Sequence, residues 1–167
     1  MQPEAQTEAA MNRIWWAAAG VATGIGLIQP AWGWEESFES GLGGWTTNGL
    51  WGLTTAASVS PSHSAADSPG GYYTNGAESA LTLNAGIDLA SLVRPALRFE
   101  TRHFLEAGFD FMSVEGSTNA GTTWFNLETL TGTRPDWRRH QVSLAARTGG
   151  GPLLLRCRLT ADASVAM

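Results

Sequence analysis

The eleven residues Val114 to Trp124, VEGSTNAGTTW, hold a carboxylate, a run of hydroxyls, Asn119, Gly121 and a closing tryptophan. Such a set could act on a substrate, or it could build a turn. Catalysis by a hydroxyl or a thiol needs a base within reach and a group that orients the base. The single cysteine, Cys157, sits in LLLRCRLT and alternates in step with Leu153, Leu155 and Leu159. That pattern makes it a small buried hydrophobe. His63, His103 and His140 lie in separate segments without metal-ligand spacing. No HExxH, GxSxG or phosphate-loop pattern occurs. One cysteine also excludes an internal disulfide and a cysteine zinc site.

Turn chemistry explains the opening stretch better. Asn119 and Gly121 both tolerate positive φ, and Asn119 can bond forward to backbone amides. Ser117 and Thr122 can hold the mouth of the loop, and Trp124 can pack back across it. The stretch resembles the Asp-box hairpin, S-x-D-x-G-x-T-W, with Asn119 in the aspartate position. One copy of that motif implies a structural hairpin at Ser117, Asn119, Gly121 and Trp124. It does not imply a sialidase.

The elements that must carry this hairpin read as strands. The chain has 167 residues with a net charge of −5, so one domain is expected. Twenty glycines and eight tryptophans favour a turn-rich β domain. All ten basic residues are arginines, interspersed with acids, which disfavours nucleic-acid binding. ALRFETRHFLE alternates, with Leu97, Phe99, Thr101 and His103 on one face and Arg98, Glu100 and Arg102 on the other. His103 beside Phe99 reads as a core or rim residue. LWGLTTA, SALTL, GIDLA, FDFMSVEGS, TWFNLETL, WRRHQVSLA and LLLRCRLTA read as further strands, and PSHSAADSPGG as a long polar loop. Roughly eight strands and no helix after Trp34 predict an all-β, two-sheet antiparallel β-sandwich.

Residues 14–28, IWWAAAGVATGIGLI, carry no charge and follow Arg13. Pro30 and then AWG come after them. This is the layout of a secretory signal helix over residues 1–33, cleaved before Trp34, with 34–167 as the mature domain. The acidic first ten residues suit a signal poorly, so Met11 is the expected true start. Membrane contact is expected only through an uncleaved signal segment, because the run is short for a spanning helix.

SFESGLGGWTTNGLWGLTT, PSHSAADSPGGYY, LTLNAGIDLA, PALRFETRHFLEAGFDFMSVEGSTNAGTTW and LLLRCRLTADAS follow one another in that order. Together they resemble the accessory β-sandwich of secreted bacterial peptidases of the immune inhibitor A type, a domain related to MAM-type jelly rolls. The resemblance spans Glu36 to Ser164. It implies a secreted, extracellular, non-catalytic accessory or binding module, because the peptidase domain with its HExxH helix has no counterpart here. It also implies that a last strand is missing at the C-terminus, leaving an open sheet edge. Relatives of this kind hold calcium, and the matching positions are Glu39 and Asp67, with Gly70 and Gly71 letting carbonyls approach. The expected partner is an extracellular protein or a glycan. A carbohydrate-binding module is one alternative, with Trp45, Trp51, Tyr72 and Tyr73 as an aromatic platform. A fragment of a secreted metallopeptidase or other hydrolase is another.

Overall fold

The structure is a computed structural model that describes residues 13–23 and 31–164, with side chains from Trp34 to Ser164. The described residues form eleven strands and one short 3-10 turn, Ala145–Arg147. The strands are β1 (Arg13–Thr23), β2 (Ala31–Glu36), β3 (Trp45–Asn48), β4 (Gly52–Thr54), β5 (Ser64–Ala66), β6 (Glu78–Leu83), β7 (Ala96–Phe104), β8 (Phe111–Ser117), β9 (Phe125–Leu130), β10 (Thr133–Ser143) and β11 (Leu154–Thr160). One sheet runs β10-β7-β1-β5-β4, with β2 also paired to β1. The other runs β3-β6-β11-β8-β9. Every pairing is antiparallel. The protein is therefore all-β, with two antiparallel sheets in a sandwich-like arrangement.

Alternation sets which faces meet. In β7, Leu97, Phe99, Thr101 and His103 are buried while their neighbours are not. In β11, Leu155, Cys157 and Leu159 are buried in the same way. Leu97 and Phe99 of β7 and the three β11 residues join one core cluster with Leu81 of β6 and Met112 and Val114 of β8. A strand's side chains point alternately to its two faces, so each strand turns one row of residues into this core. Cys157 is fully buried, and burial raises its thiol well above the usual range. Among the described residues β10 pairs only with β7, so it is an edge strand there. It carries Pro135 within a register shift between Arg134 and Arg138, a place where a missing N–H is tolerated.

Three expectations differ from what the backbone shows. Where a signal helix is expected over residues 1–33 the backbone shows strand at Arg13–Thr23 and again from Ala31, and residues 1–12 and 24–30 lie outside the described residues. No helix among the described residues is long and apolar enough to cross a membrane. Within the expected polar loop PSHSAADSPGG, Ser64, Ala65 and Ala66 form β5, and all three are buried. GIDLA contributes a single bridge, Ile87 to Leu153, and no strand.

Candidate functional site

Hairpin geometry comes first. The loop between β8 and β9 is tied by its own side chains. Ser117 Oγ donates to Asn119 Oδ1 at 2.9 Å and accepts from the amide of Gly121 at 2.9 Å. Asn119 Oδ1 accepts from the amide of Thr123 at 2.9 Å, and its Nδ2 donates to Thr123 Oγ1 at 2.8 Å. Gly121 has φ +82°, and the other residue with positive φ in this loop is Ala120, at 55°, not Asn119. Asn119 thus needs no left-handed backbone, and its side chain caps the turn in the Asx manner. Arg156 on β11 lies over the Trp124 ring, 4.1 Å from its centroid. Gly116 is needed for close approach, since a Cβ there would meet the Phe125 ring at 2.6 Å. Ser117, Asn119 and Thr123 spend their side chains on the turn itself.

Glu39 is committed to a different loop. Its Oε1 accepts from Ser60 Oγ, from the Ser62 amide at 3.1 Å and from the His63 amide at 2.8 Å. Its Oε2 accepts from Ser62 Oγ and lies 3.1 Å from His63 Nδ1. These donors, the Ser62 hydroxyl foremost and the His63 amide next, hold the carboxyl well below the usual carboxylate range. Ser62, His63 and Glu39 therefore bring together a hydroxyl, an imidazole and a carboxylate. The arrangement is not a relay. Ser62 Oγ and Glu39 Oε2 both meet Nδ1, whereas a hydrolytic triad needs the carboxylate on one ring nitrogen and the hydroxyl on the other.

Asp67 is buried beside Tyr73, and its charge helps raise the Tyr73 hydroxyl, though burial and a hydrogen bond to Asp110 do more. It lines a groove of about 200 Å³ with Leu50, Ser68, Tyr73 and Ser79. Glu39 and Asp67 belong to no common ligand group among the described residues. The group that does form is Glu106, Asp110 and Asp162, with one carboxylate oxygen from each within 4.8 Å of the others.

Local structure delivers these three carboxylates. Glu106 follows β7 and opens a tight turn, in which the Asp110 amide donates to the Glu106 carbonyl at 3.0 Å. Gly108 has φ +80° in that turn. β8 begins at once and pairs with β11 so that Thr160 stands opposite Phe111. That register sets Asp162, two residues past the end of β11, beside Asp110. The Asp162 amide donates to Asp110 Oδ1 at 3.1 Å, and the Tyr73 hydroxyl donates to Asp110 Oδ2 at 2.6 Å. Asp110 is almost wholly buried, and Glu106 Oε2 is buried with no hydrogen-bond partner. None of the three acids forms an ion pair among the described residues. Carboxylates gathered this closely repel one another when ionised, which a bound cation would offset.

The donor set is all oxygen, with no nitrogen or sulfur. It suits a hard cation, calcium or magnesium, and not zinc. Sequence reasoning passed over these residues. Glu106 and Asp110 flank a glycine turn four residues apart, which is a readable signal. Asp162 is distant in sequence, and only the β8–β11 register brings it in. The aromatic platform does not form on the surface, since Trp45, Trp51 and Tyr73 are buried and only Tyr72 is well exposed. No family model matches the chain, and no curated protein matches it.

Proposed function

We propose that this protein is a secreted, non-catalytic accessory module, a MAM-like jelly roll of the kind attached to immune inhibitor A-type peptidases. Its loop end is tied together by calcium at Glu106, Asp110 and Asp162. The observation that supports this reading most is the convergence of three carboxylates from the β7–β8 turn and the segment after β11, with Glu106 Oε2 buried and partnerless. A cation there ties the β7–β8 turn to the chain leaving β11, and through Tyr73 to the loop before β6. Calcium is the ion of choice because its flexible, oxygen-rich coordination accepts carboxylates and loop carbonyls together. The burial of Trp45, Trp51 and Tyr73 favours a protein partner over a glycan.

The test is a thermal melt of the whole chain in EDTA, in 5 mM calcium and in 5 mM magnesium. A site with a Kd on the order of 10⁻⁴ to 10⁻³ M adds about 1–2 kcal/mol at that concentration, a rise of a few degrees in Tm. Asp162→Asn abolishes the calcium-specific rise. Equal melting in EDTA and calcium overturns the reading.

A further inference from the structure

β7 and β5 do not touch each other in the sheet. β1 lies between them, antiparallel to both. Trp15 stands opposite Arg102 of β7 and Ala66 of β5, and Trp16 stands opposite Thr101 and Ala65. The separation is therefore two strand spacings, about 9–10 Å, which one extended chain fills. β7 meets β1 along nearly its whole length, from Ala96 opposite Ala22 to Phe104 opposite Arg13. The other edge of β1 is shared between β5 and β2. All of this segment after Arg13 lies in the charge-free run that a cut after Gly33 would remove. Such a cut leaves only Trp34–Glu36 of β2. It opens a slot in the middle of a sheet, with the edges of β7 and β5 facing each other and their backbone groups unpaired. Unpaired sheet edges of this kind template the addition of another strand.

We infer that the slot between β5 and β7 is a strand acceptor. Resting on the export reading above, the inference is that the chain cut after Gly33 binds an extended, uncharged apolar strand of a partner protein there, antiparallel to both neighbours. Ile14–Thr23 shows the kind of strand that fits. Recognition of this type takes affinity from main-chain hydrogen bonds and selectivity from alternate side chains. The slot admits neither a helix nor a folded surface, because only one strand's width is open.

Hydrogen exchange and peptide binding test this together. In the whole chain, amides of Arg13–Thr23 and of Ala96–Phe104 exchange slowly. In the chain beginning at Trp34, the β7 amides that face the slot exchange at least tenfold faster. The synthetic peptide Arg13–Thr23 then binds one to one and restores their protection, while a proline-substituted peptide, Ala17→Pro, does not. If the shortened chain is unfolded alone, refolding on addition of the peptide supports the slot, and failure to refold overturns it. A folded shortened chain whose β7 amides are already protected, and which ignores the peptide, also overturns it. Secretion without cleavage would count against the export reading alone, since the exchange pattern of the whole chain and the peptide experiment do not depend on how the cut arises.

Discussion

Lowering the pH should destabilise the fold through His103 before the carboxylates titrate. His103 projects from β7 into the core and is nearly fully buried, with Nδ1 unpartnered. Burial pushes its pKa down to about 4 from the ordinary 6.5, and the nearby His140 and Arg134 push the same way. A hydrogen bond to the Thr131 backbone opposes the shift only in part. The folded pKa is depressed, so between pH 6.5 and 4 the unfolded chain binds the proton and the folded chain does not. Stability is then fully present above pH 6.5 and is lost as pH falls toward 4. A shift of this size is worth at most about 3 kcal/mol. His140, stacked on Phe99 at 4.8 Å, has its pKa lowered by burial as well and adds to the same slope. The assay is urea unfolding of wild type and His103→Leu at several pH values from 7.5 to 4. The wild type loses about 2–3 kcal/mol more than the variant over that range. Equal slopes for the two proteins would refute the argument that His103 is held neutral.

Three further outcomes follow from the geometry. Gly121→Val costs about 1–3 kcal/mol in chemical unfolding, because φ +82° is strained for a β-branched residue while its Cβ would make only ordinary contact with Trp124, 3.5 Å away. Glu39→Ala frees the Ser60–His63 loop and lowers Tm, yet leaves the calcium-linked rise in Tm intact; loss of that rise would return Glu39 to the metal site. Protein exported by a bacterial host begins at Trp34 on N-terminal sequencing, and recovery of an intact N-terminus from the medium counts against the cleavage.

Strands whose one face is buried were legible, and those that depend on neighbours were not. Leu97, Phe99, Thr101 and His103 announced β7 through a period of two, and Leu155, Cys157 and Leu159 announced β11. β5 was hidden because Ser64, Ala65 and Ala66 are small and carry no strand propensity; tertiary burial alone makes them a strand. Arg13–Thr23 has no polar face and no period, so the sequence could not separate a signal helix from a central strand. The hairpin was readable because its bonds are local, though positive φ fell on Ala120 and not on Asn119. The acidic group was not, because Asp162 reaches Asp110 only through the pairing of Thr160 with Phe111.

Calorimetric titration of calcium into the metal-stripped whole chain tests the central claim most directly. The account predicts saturable binding of one ion, weaker for magnesium, abolished in the Glu106→Gln/Asp162→Asn double variant and retained in Glu39→Ala. Absence of saturable heat from a folded wild type, or undiminished binding in the double variant, would contradict it.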